Sequence, residues 1–236
     1  MKFVLILLTL FFILDFNGFA QNDTIRIYPV SGNSFLKKQA VPLGLMATGA
    51  LLNTGTIKYD IQDKIPDTEN RIDDYLQYIP MAQMYLYDFM GLKHQNSVFD
   101  QTKYLLIAQL TSGIIVHTIK PLSKVRRPKG AEKSFPSGHT ALTFVGATVL
   151  FYEFRESSPW LAYSGFIFAS ATGWLRMTNN YHWLPDVLVG AGIGIFSATL
   201  VYHFEPLKNW QPFKKNKNLS VTPFLSPYLA SVTIRF

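Results

Sequence analysis

The chain of 236 residues carries a formal net charge of +7, and 48% of its residues are hydrophobic, 15% aromatic and only 16% charged. This length fits one domain, and the apolar composition excludes a disordered chain and is typical of a protein that associates with a membrane. The absence of cysteine excludes a disulfide scaffold, a thiolate metal site and a thiol nucleophile, while the positive charge favours anionic partners such as phosphate groups or acidic lipids.

The N-terminal segment has the pattern of a secretory signal peptide. Lys2 precedes an apolar run at residues 3–14, and Gly18 and Ala20 form a small-residue cleavage pattern. A retained membrane anchor is the alternative, but the apolar run is short for a membrane span of about 20 residues. We therefore expect residues 1–20 to be removed and the mature protein to act in the cell envelope.

An extended arm and six helices are predicted to follow. Residues 21–39 form the arm, because Ile25 and Ile27 alternate with polar residues ahead of Pro29. The helices are predicted from apolar segments at residues 40–57, 75–92, 102–119, 138–154, 159–176 and 184–203. The predicted fold class is therefore all-α, a membrane-associated six-helix bundle in a domain that spans residues 40–205.

Two segments are predicted to stand apart from this bundle. The linker at residues 58–74 contains six acidic residues and is interpreted as solvated, and no function is assigned to it. Residues 206–236 begin as a basic linker and end in a strictly alternating run, Tyr228 to Phe236, which is typical of a β-strand. We expect this run to form one arm of a short C-terminal β-hairpin. The closing strand of a membrane barrel is the alternative, but one hairpin cannot close a barrel.

Three polar blocks lie at the ends of predicted helices. The blocks are Lys120 with Arg127-Pro128, Pro136-Ser137-Gly138-His139, and Arg176 with His182 and Asp186. A transferring phosphoryl group spreads negative charge over its oxygens, so its site needs fixed cations and backbone N–H donors. Lys120, Arg127 and Arg176 supply the cations. Ser137 and Gly138 open the fourth helix, where free N–H groups and the positive end of the helix dipole face an anion.

The two histidines of these blocks are candidate catalytic groups. His182 and Asp186 are four residues apart, so the carboxylate can orient the imidazole and stabilise its cation. His182 is therefore a candidate nucleophile. His139 is left as the general acid that protonates the leaving oxygen and as the base that then activates water. No metal or cofactor is expected, because the cations of the same pocket disfavour a metal ion.

These blocks resemble, in the same order, the signature of the type 2 phosphatidic acid phosphatase and haloperoxidase superfamily. The resemblance covers roughly residues 40–205 and implies the same roles for His182, His139 and Asp186. The link of seven residues between Pro128 and Pro136 is similar to that of the bacterial membrane lipid-phosphatase branch. One departure is Leu175, where the family commonly has a serine that adds a supporting hydrogen bond.

Further basic residues and a histidine lie close to the blocks. The segment 120–133 also contains Lys124, Arg126, Lys129 and Lys133. Either a solvated basic loop or electrostatic attraction for an anionic head group explains these four residues. His117, one helical turn before Lys120, is interpreted as a core or cavity-lining histidine.

The function expected from the site and the resemblance is hydrolysis of a lipid phosphate or pyrophosphate. The enzyme would be a metal-independent phosphatase of the bacterial cell envelope that forms a phosphohistidine, with a lipid phosphate and the membrane as partners and no nucleic acid. A periplasmic acid phosphatase of broad specificity, a membrane protein that binds phospholipid without turnover, and a vanadate-dependent haloperoxidase are the alternatives.

The orientation of the active site involves a conflict in the sequence. The blocks follow the third and fifth predicted helices, so six full crossings after a cleaved signal peptide would place them in the cytoplasm. Members of the resembling family generally face the active site outward. The conflict disappears if the bundle is only partly inserted in the membrane, without six complete crossings, because the whole mature chain then stays outside the cytoplasm. We therefore expect a membrane-associated enzyme, in the inner membrane, whose active site faces the periplasm.

Overall fold

The computed structural model describes residues 32–204, Leu207, Trp210 and the segments 220–226 and 229–235. The predicted signal peptide at 1–20 and the predicted strand around Ile25 and Ile27 lie outside the described residues. The prediction of an extended arm is wrong for residues 32–39, because the first helix already begins at Gly32.

Eight helices occur in the described part of the chain. They are α1 (Gly32–Asn53), α2 (Ile57–Gln62), α3 (Ile72–Leu76), α4 (Ile79–Phe89), α5 (Val98–Ser123), α6 (Gly138–Phe154), α7 (Pro159–Thr178) and α8 (Leu184–His203). The six longer helices correspond to the predicted apolar segments. The predicted count of six is wrong, because α2 and α3 form within the acidic segment 58–74 and its margin, which the sequence describes only as polar.

Helix α8 occupies the middle of the bundle and packs against α1, α5 and α6. It approaches the start of α6 closely, because a Cβ atom added at Gly190 would lie 2.5 Å from the carbonyl oxygen of Ser137. A glycine at this position therefore allows the second and third polar blocks to meet.

The buried apolar side chains form two clusters along the bundle. The larger one includes Met84, Tyr104, Leu150 and Phe154. A smaller cluster of Val116, Ala141, Val189 and Ile193 lies on the same helices, closer to the polar blocks. Packing of α5, α6 and α8 around these clusters places the helix ends that carry the blocks beside one another.

Two of the described helices, α5 and α8, are long and apolar enough to cross a membrane. On α5, Leu106, Leu110 and Ile114 are 55%, 50% and 68% exposed, and their spacing of four residues puts them on one face. An outward apolar face of this kind is what a helix in contact with lipid requires.

The C-terminal segment, for which the sequence predicts a hairpin, contains two strands, β1 (Ser220–Ser226) and β2 (Leu229–Arg235). They pair antiparallel, with a register that runs from Ser226 opposite Leu229 to Ser220 opposite Arg235.

Candidate active site

The structure brings the three polar blocks together around a cavity of about 420 Å³ at one end of the bundle. Six of the eight predicted site residues line this cavity. They are Lys120, Arg127, Gly138, His139, Arg176 and His182. The other two predicted residues, Ser137 and Asp186, are fully buried and contact the lining residues from behind.

His182 is held immediately before α8 by its neighbour Asp186. The distance from His182 Nδ1 to Asp186 Oδ2 is 3.4 Å. The same carboxylate oxygen accepts the backbone N–H of Trp183 at 3.0 Å. Because α8 begins at Leu184, the spacing of four residues does place both side chains together. With Nδ1 directed at the carboxylate, Nε2 is the ring nitrogen left for a ligand.

The protonation state of His182 follows from its burial. Burial lowers the pKa of His182 to about 4, and the cations Arg176 and Lys120 act in the same direction, against the influence of Asp186. The imidazole is therefore neutral near pH 7. A neutral imidazole has a free lone pair on one ring nitrogen, as a nucleophile requires.

Ser134 is a residue of this site that sequence reasoning missed. It is buried, and its hydroxyl donates to Asp186 Oδ2. The Ser134 Oγ also lies 3.5 Å from His182 Nδ1. No signal in the sequence distinguishes it from other loop serines, because its partner lies 52 residues away. It provides Asp186 with a buried hydroxyl donor.

Ser137 stabilises the start of α6 and does not line the cavity. Its Oγ accepts the backbone N–H of Thr140, which caps the helix, and it also accepts the Thr140 hydroxyl at 2.9 Å. Its backbone N–H donates to the carbonyl oxygen of Asp186 at 3.0 Å. This differs from the prediction, which has Ser137 offering a free N–H to phosphate.

Gly138 and His139 supply the free backbone donors of the second block. They are the first two residues of α6, so their N–H groups have no acceptor within the helix. A Cβ atom at Gly138 would lie 3.7 Å from Val116, which is an ordinary contact. Packing therefore does not require glycine here, and close approach of a ligand is the remaining physical reason for it.

The cations of the first and third blocks are only partly neutralised by the protein. Lys120 Nζ donates to the carbonyl oxygen of Pro136 at 2.8 Å, which ties the first block to the second. The Nε atoms of Arg127 and Arg176 are buried and have no hydrogen-bond partner among the described residues. A buried donor without a partner costs about 1–3 kcal/mol. Oxygens of a bound anion would supply the missing acceptors.

Arg176 is paired with an acidic residue from a distant segment. Its Nη1 forms an ion pair with Asp73 of α3, and the two side chains are 6% and 1% exposed. Asp73 also accepts the side-chain amide of Asn179 at 2.9 Å. The interpretation of residues 58–74 as solvated is therefore wrong at Asp73. The physical reason is that this carboxylate compensates a buried guanidinium.

The next residue, Asp74, reaches the second block. Its Oδ1 lies 3.4 Å from His139 Nε2 and 3.7 Å from Arg176 Nη1. Sequence reasoning missed this contact, because the acidic segment 58–74 is interpreted there as a solvated linker and no helix is predicted at Asp74.

The remaining residues near the blocks have different surroundings. The ring of Tyr181 lies 4.3 Å from the Arg176 guanidinium and 5.1 Å from Lys129 Nζ. Lys129 also lies 3.7 Å from Glu69. The other basic residues of the loop, Lys124, Arg126 and Lys133, have exposed side chains. His117 lines the cavity.

The donor set favours an anion over a metal ion. Within residues 32–204 and the other described positions, no group of three or more His, Cys, Asp or Glu is placed to hold a metal. The cavity combines a neutral imidazole, a second imidazole next to a carboxylate, and two guanidinium groups whose Nε atoms lack acceptors among the described residues. Such an arrangement can bind a tetrahedral oxyanion and transfer it to a ring nitrogen.

Comparison with known proteins gives the following matches. A family model described as the PAP2 superfamily matches residues 39–210. The chain is 34% identical over 153 residues to the lipid A 1-phosphatase of Porphyromonas gingivalis, a match that covers 64% of this chain and 34% of that protein. It is 30% identical over 118 residues to the probable lipid phosphate phosphatase 4 of Arabidopsis thaliana, covering 43% of this chain and 37% of that one.

Among solved structures, a transmembrane PAP2 type phosphatidylglycerolphosphate phosphatase from Bacillus subtilis is similar, with a TM-score of 0.46 and 17% identity. The match covers 76% of this chain and 98% of that chain. The chain spans about a third of the length of the lipid A 1-phosphatase and of the probable lipid phosphate phosphatase 4.

Proposed function

This chain belongs to the PAP2 superfamily, and we propose that it is a metal-independent phosphatase that hydrolyses a lipid phosphate or pyrophosphate in the bacterial cell envelope. One observation carries the proposal. The buried Nε donors of Arg127 and Arg176 lack acceptors within the described chain and belong to residues that line the same cavity as neutral His182. A phosphoryl group in this cavity would satisfy the donors and meet the nucleophile.

In the first step, His182 Nε2 attacks phosphorus and a nitrogen–phosphorus bond forms. The bond from phosphorus to the lipid oxygen breaks, and protonated His139 gives its proton to that oxygen. Lys120, Arg127 and Arg176 stabilise the charge on the three other oxygens, together with the free N–H groups at the start of α6. Asp186 stabilises the positive charge that develops on the His182 ring.

In the second step, water attacks the phosphorus of phosphohistidine. His139, now neutral, takes a proton from the water as the nitrogen–phosphorus bond breaks. Inorganic phosphate leaves, and both histidines return to their initial protonation states. The two steps need no metal ion and no cofactor, because side chains supply every positive charge and proton.

A lipid substrate is supported by the surroundings of the cavity. One wall contains Gly113, Val116, Ala141 and Leu142, which offer apolar contacts beyond the phosphate. Helix α5, which contributes part of this wall, also carries the exposed apolar face at Leu106 and Ile114. The names of the two curated relatives, a lipid A phosphatase and a lipid phosphate phosphatase, support the same substrate class.

Purified protein in detergent should release phosphate from at least one member of a panel of lipid phosphates and pyrophosphates. Release should be unchanged by EDTA. Faster release from small soluble phosphomonoesters than from every lipid would favour a broad acid phosphatase. Binding without release from any substrate would indicate a non-catalytic phospholipid-binding protein, and inhibition by EDTA that added metal reverses would contradict metal independence.

The proposed location is the inner membrane, with the active site facing the periplasm. Single cysteines introduced by Lys129→Cys and Asn216→Cys suit this test, because the chain has no cysteine of its own. Both should react with an impermeant reagent in cells opened only at the outer membrane. Labelling at position 216 but not at 129 would contradict a periplasmic active site. Labelling at 129 alone would indicate six full membrane crossings that start in the cytoplasm, and would argue that residues 1–20 are not a cleaved signal peptide.

A further inference from the structure

Helix α3 places two adjacent carboxylates against two different residues of the cavity. Asp73 pairs with Arg176, while Asp74 Oδ1 lies 3.4 Å from His139 Nε2. The two carboxylates differ in exposure, since the side chain of Asp73 is 1% exposed and that of Asp74 is 45% exposed. Asp73 therefore neutralises the buried charge of Arg176, and Asp74 lies at the solvent edge of the site.

The position of Asp74 is fixed by its neighbours. Asp73 is anchored by Arg176 and by the side-chain amide of Asn179. The segment before α3 is anchored as well, since Thr68 N–H donates to the Thr178 carbonyl oxygen at 2.8 Å. Because both anchors lie at the end of α7, the Asp74 carboxylate is held at one place relative to the cavity.

We infer that Asp74 is a positioning residue for His139, which it holds through Nε2 so that Nδ1 faces the oxygen of the leaving group. This inference rests on the proposed phosphatase function. In the protonated state of His139, Nε2–H donates to the Asp74 carboxylate and the Nδ1 proton passes to the leaving oxygen as the phosphorus–oxygen bond breaks. In the second step, Nδ1 takes a proton from the attacking water, and the proton on Nε2 does not move.

This arrangement gives each histidine its own carboxylate. Asp186, in the first turn of α8, holds His182 just before the same helix, whereas Asp74 holds His139 from a separate helix. Arg176 lies beside both Asp73 and Asp74, so the acid–base group and the phosphate-binding cation share one acidic support. Because Arg176 keeps its buried partner Asp73 when Asp74 is replaced, loss of Asp74 should affect proton transfer and leave phosphate binding largely unchanged.

The test is the variant Asp74→Asn, assayed with a lipid phosphate and with an activated aryl phosphate. An aryl oxide needs little protonation on leaving, whereas a lipid alkoxide needs it strongly. Because general acid–base catalysis is worth about 10²–10⁴-fold, we expect the rate constant of phosphoenzyme formation to fall about 30-fold with the lipid phosphate and less than about 3-fold with the aryl phosphate. Hydrolysis of the phosphoenzyme, which is common to both substrates, is measured separately by burst kinetics. KM should be unchanged for both substrates.

Three further measurements separate positioning from a structural role. Asp74→Glu keeps the carboxylate and should recover much of the lipid activity. In a His139→Ala background, Asp74→Asn should cause no additional loss, because the two residues act as one unit. Asp67→Asn, which changes an exposed acidic residue of the same segment, is the matched control and should behave as the wild type.

Equal losses of phosphoenzyme formation on both substrates, full lipid activity in Asp74→Asn, or additive losses in the double variant would each overturn the inference while leaving the phosphatase function intact. Wild-type protein that releases phosphate from neither substrate would instead overturn the proposed function, and this inference with it.

Discussion

The two histidines of the cavity have contrasting surroundings. His182 and its partner Asp186 are 1% and 0% exposed and lie four residues apart at the start of α8, whereas the side chains of His139 and Asp74 are 33% and 45% exposed and come from separate helices. The nucleophile is thus held rigidly by packing, and the acid–base group is open to the water that it must activate. Changes on the His182 side should affect every substrate equally, while changes on the His139 side should depend on the leaving group.

The largest effect is expected from the change His182→Ala, which removes the nucleophile. Turnover of lipid and aryl phosphates should both fall by at least about 10³-fold, the scale seen when a covalent catalyst is lost. Phosphate release and the thermal unfolding midpoint in detergent are the measurements. His94→Ala, which removes an exposed histidine outside the cavity, serves as control. Wild-type turnover in His182→Ala would refute the mechanism.

The change His139→Ala should produce a smaller and selective effect. Lipid phosphate turnover should fall by about 10²–10⁴-fold, the usual contribution of a general acid or base. Formation of the phosphoenzyme from an aryl phosphate should change much less, because the aryl oxide leaves without help. Burst kinetics with the aryl phosphate separate the two steps. If both substrates lost phosphoryl transfer equally, His139 would not act on the leaving group.

The change Asp73→Asn should act mainly on stability. It leaves the buried guanidinium of Arg176 without its ion-pair partner, and breaking a buried pair in this way costs about 3–5 kcal/mol. The thermal unfolding midpoint in detergent should fall clearly, and Asp67→Asn again provides a matched control at an exposed position. An unchanged midpoint would show that solvent or the cavity already compensates Arg176.

The smallest effect is expected from Ser134→Ala on the nucleophile side. Asp186 would lose a hydroxyl donor, and a hydrogen bond to a charged group contributes about 1.5–3 kcal/mol. Turnover should fall about 10-fold or somewhat more, equally for lipid and aryl phosphates. Ser158→Ala is a suitable control, since Ser158 forms no side-chain capping hydrogen bond. A loss confined to lipid phosphates would contradict the expectation that changes around His182 affect every substrate equally.

The same contrast explains how much could be predicted from the sequence. The pair His182 and Asp186 is local, so the spacing of four residues and a helix start at 184 suffice to place the two side chains together. The long helices follow from apolar runs, and α6 begins at Gly138 and α8 at Leu184 as predicted.

What could not be predicted depends on contacts between distant segments. Asp73 meets Arg176 across 103 residues, and Ser134 meets Asp186 across 52 residues. The acidic stretch has the composition of a solvated linker. Composition alone cannot show that one of its carboxylates pairs with a buried cation from a distant part of the chain. For the same reason, the sequence predicts that the backbone N–H of Ser137 donates to phosphate, although in the structure this N–H donates to the carbonyl oxygen of Asp186.

The central claim, that phosphate passes through a covalent bond to His182, can be tested by trapping. Wild-type enzyme and His139→Ala would be mixed with radiolabelled lipid or aryl phosphate, quenched in alkali, where phosphohistidine survives, and digested for mass spectrometry. The account predicts one label, on the peptide that contains His182, which accumulates in His139→Ala with the aryl phosphate and is lost on dilution into unlabelled substrate in the wild type. Full turnover with no label on His182, or a label on a different residue, would contradict it.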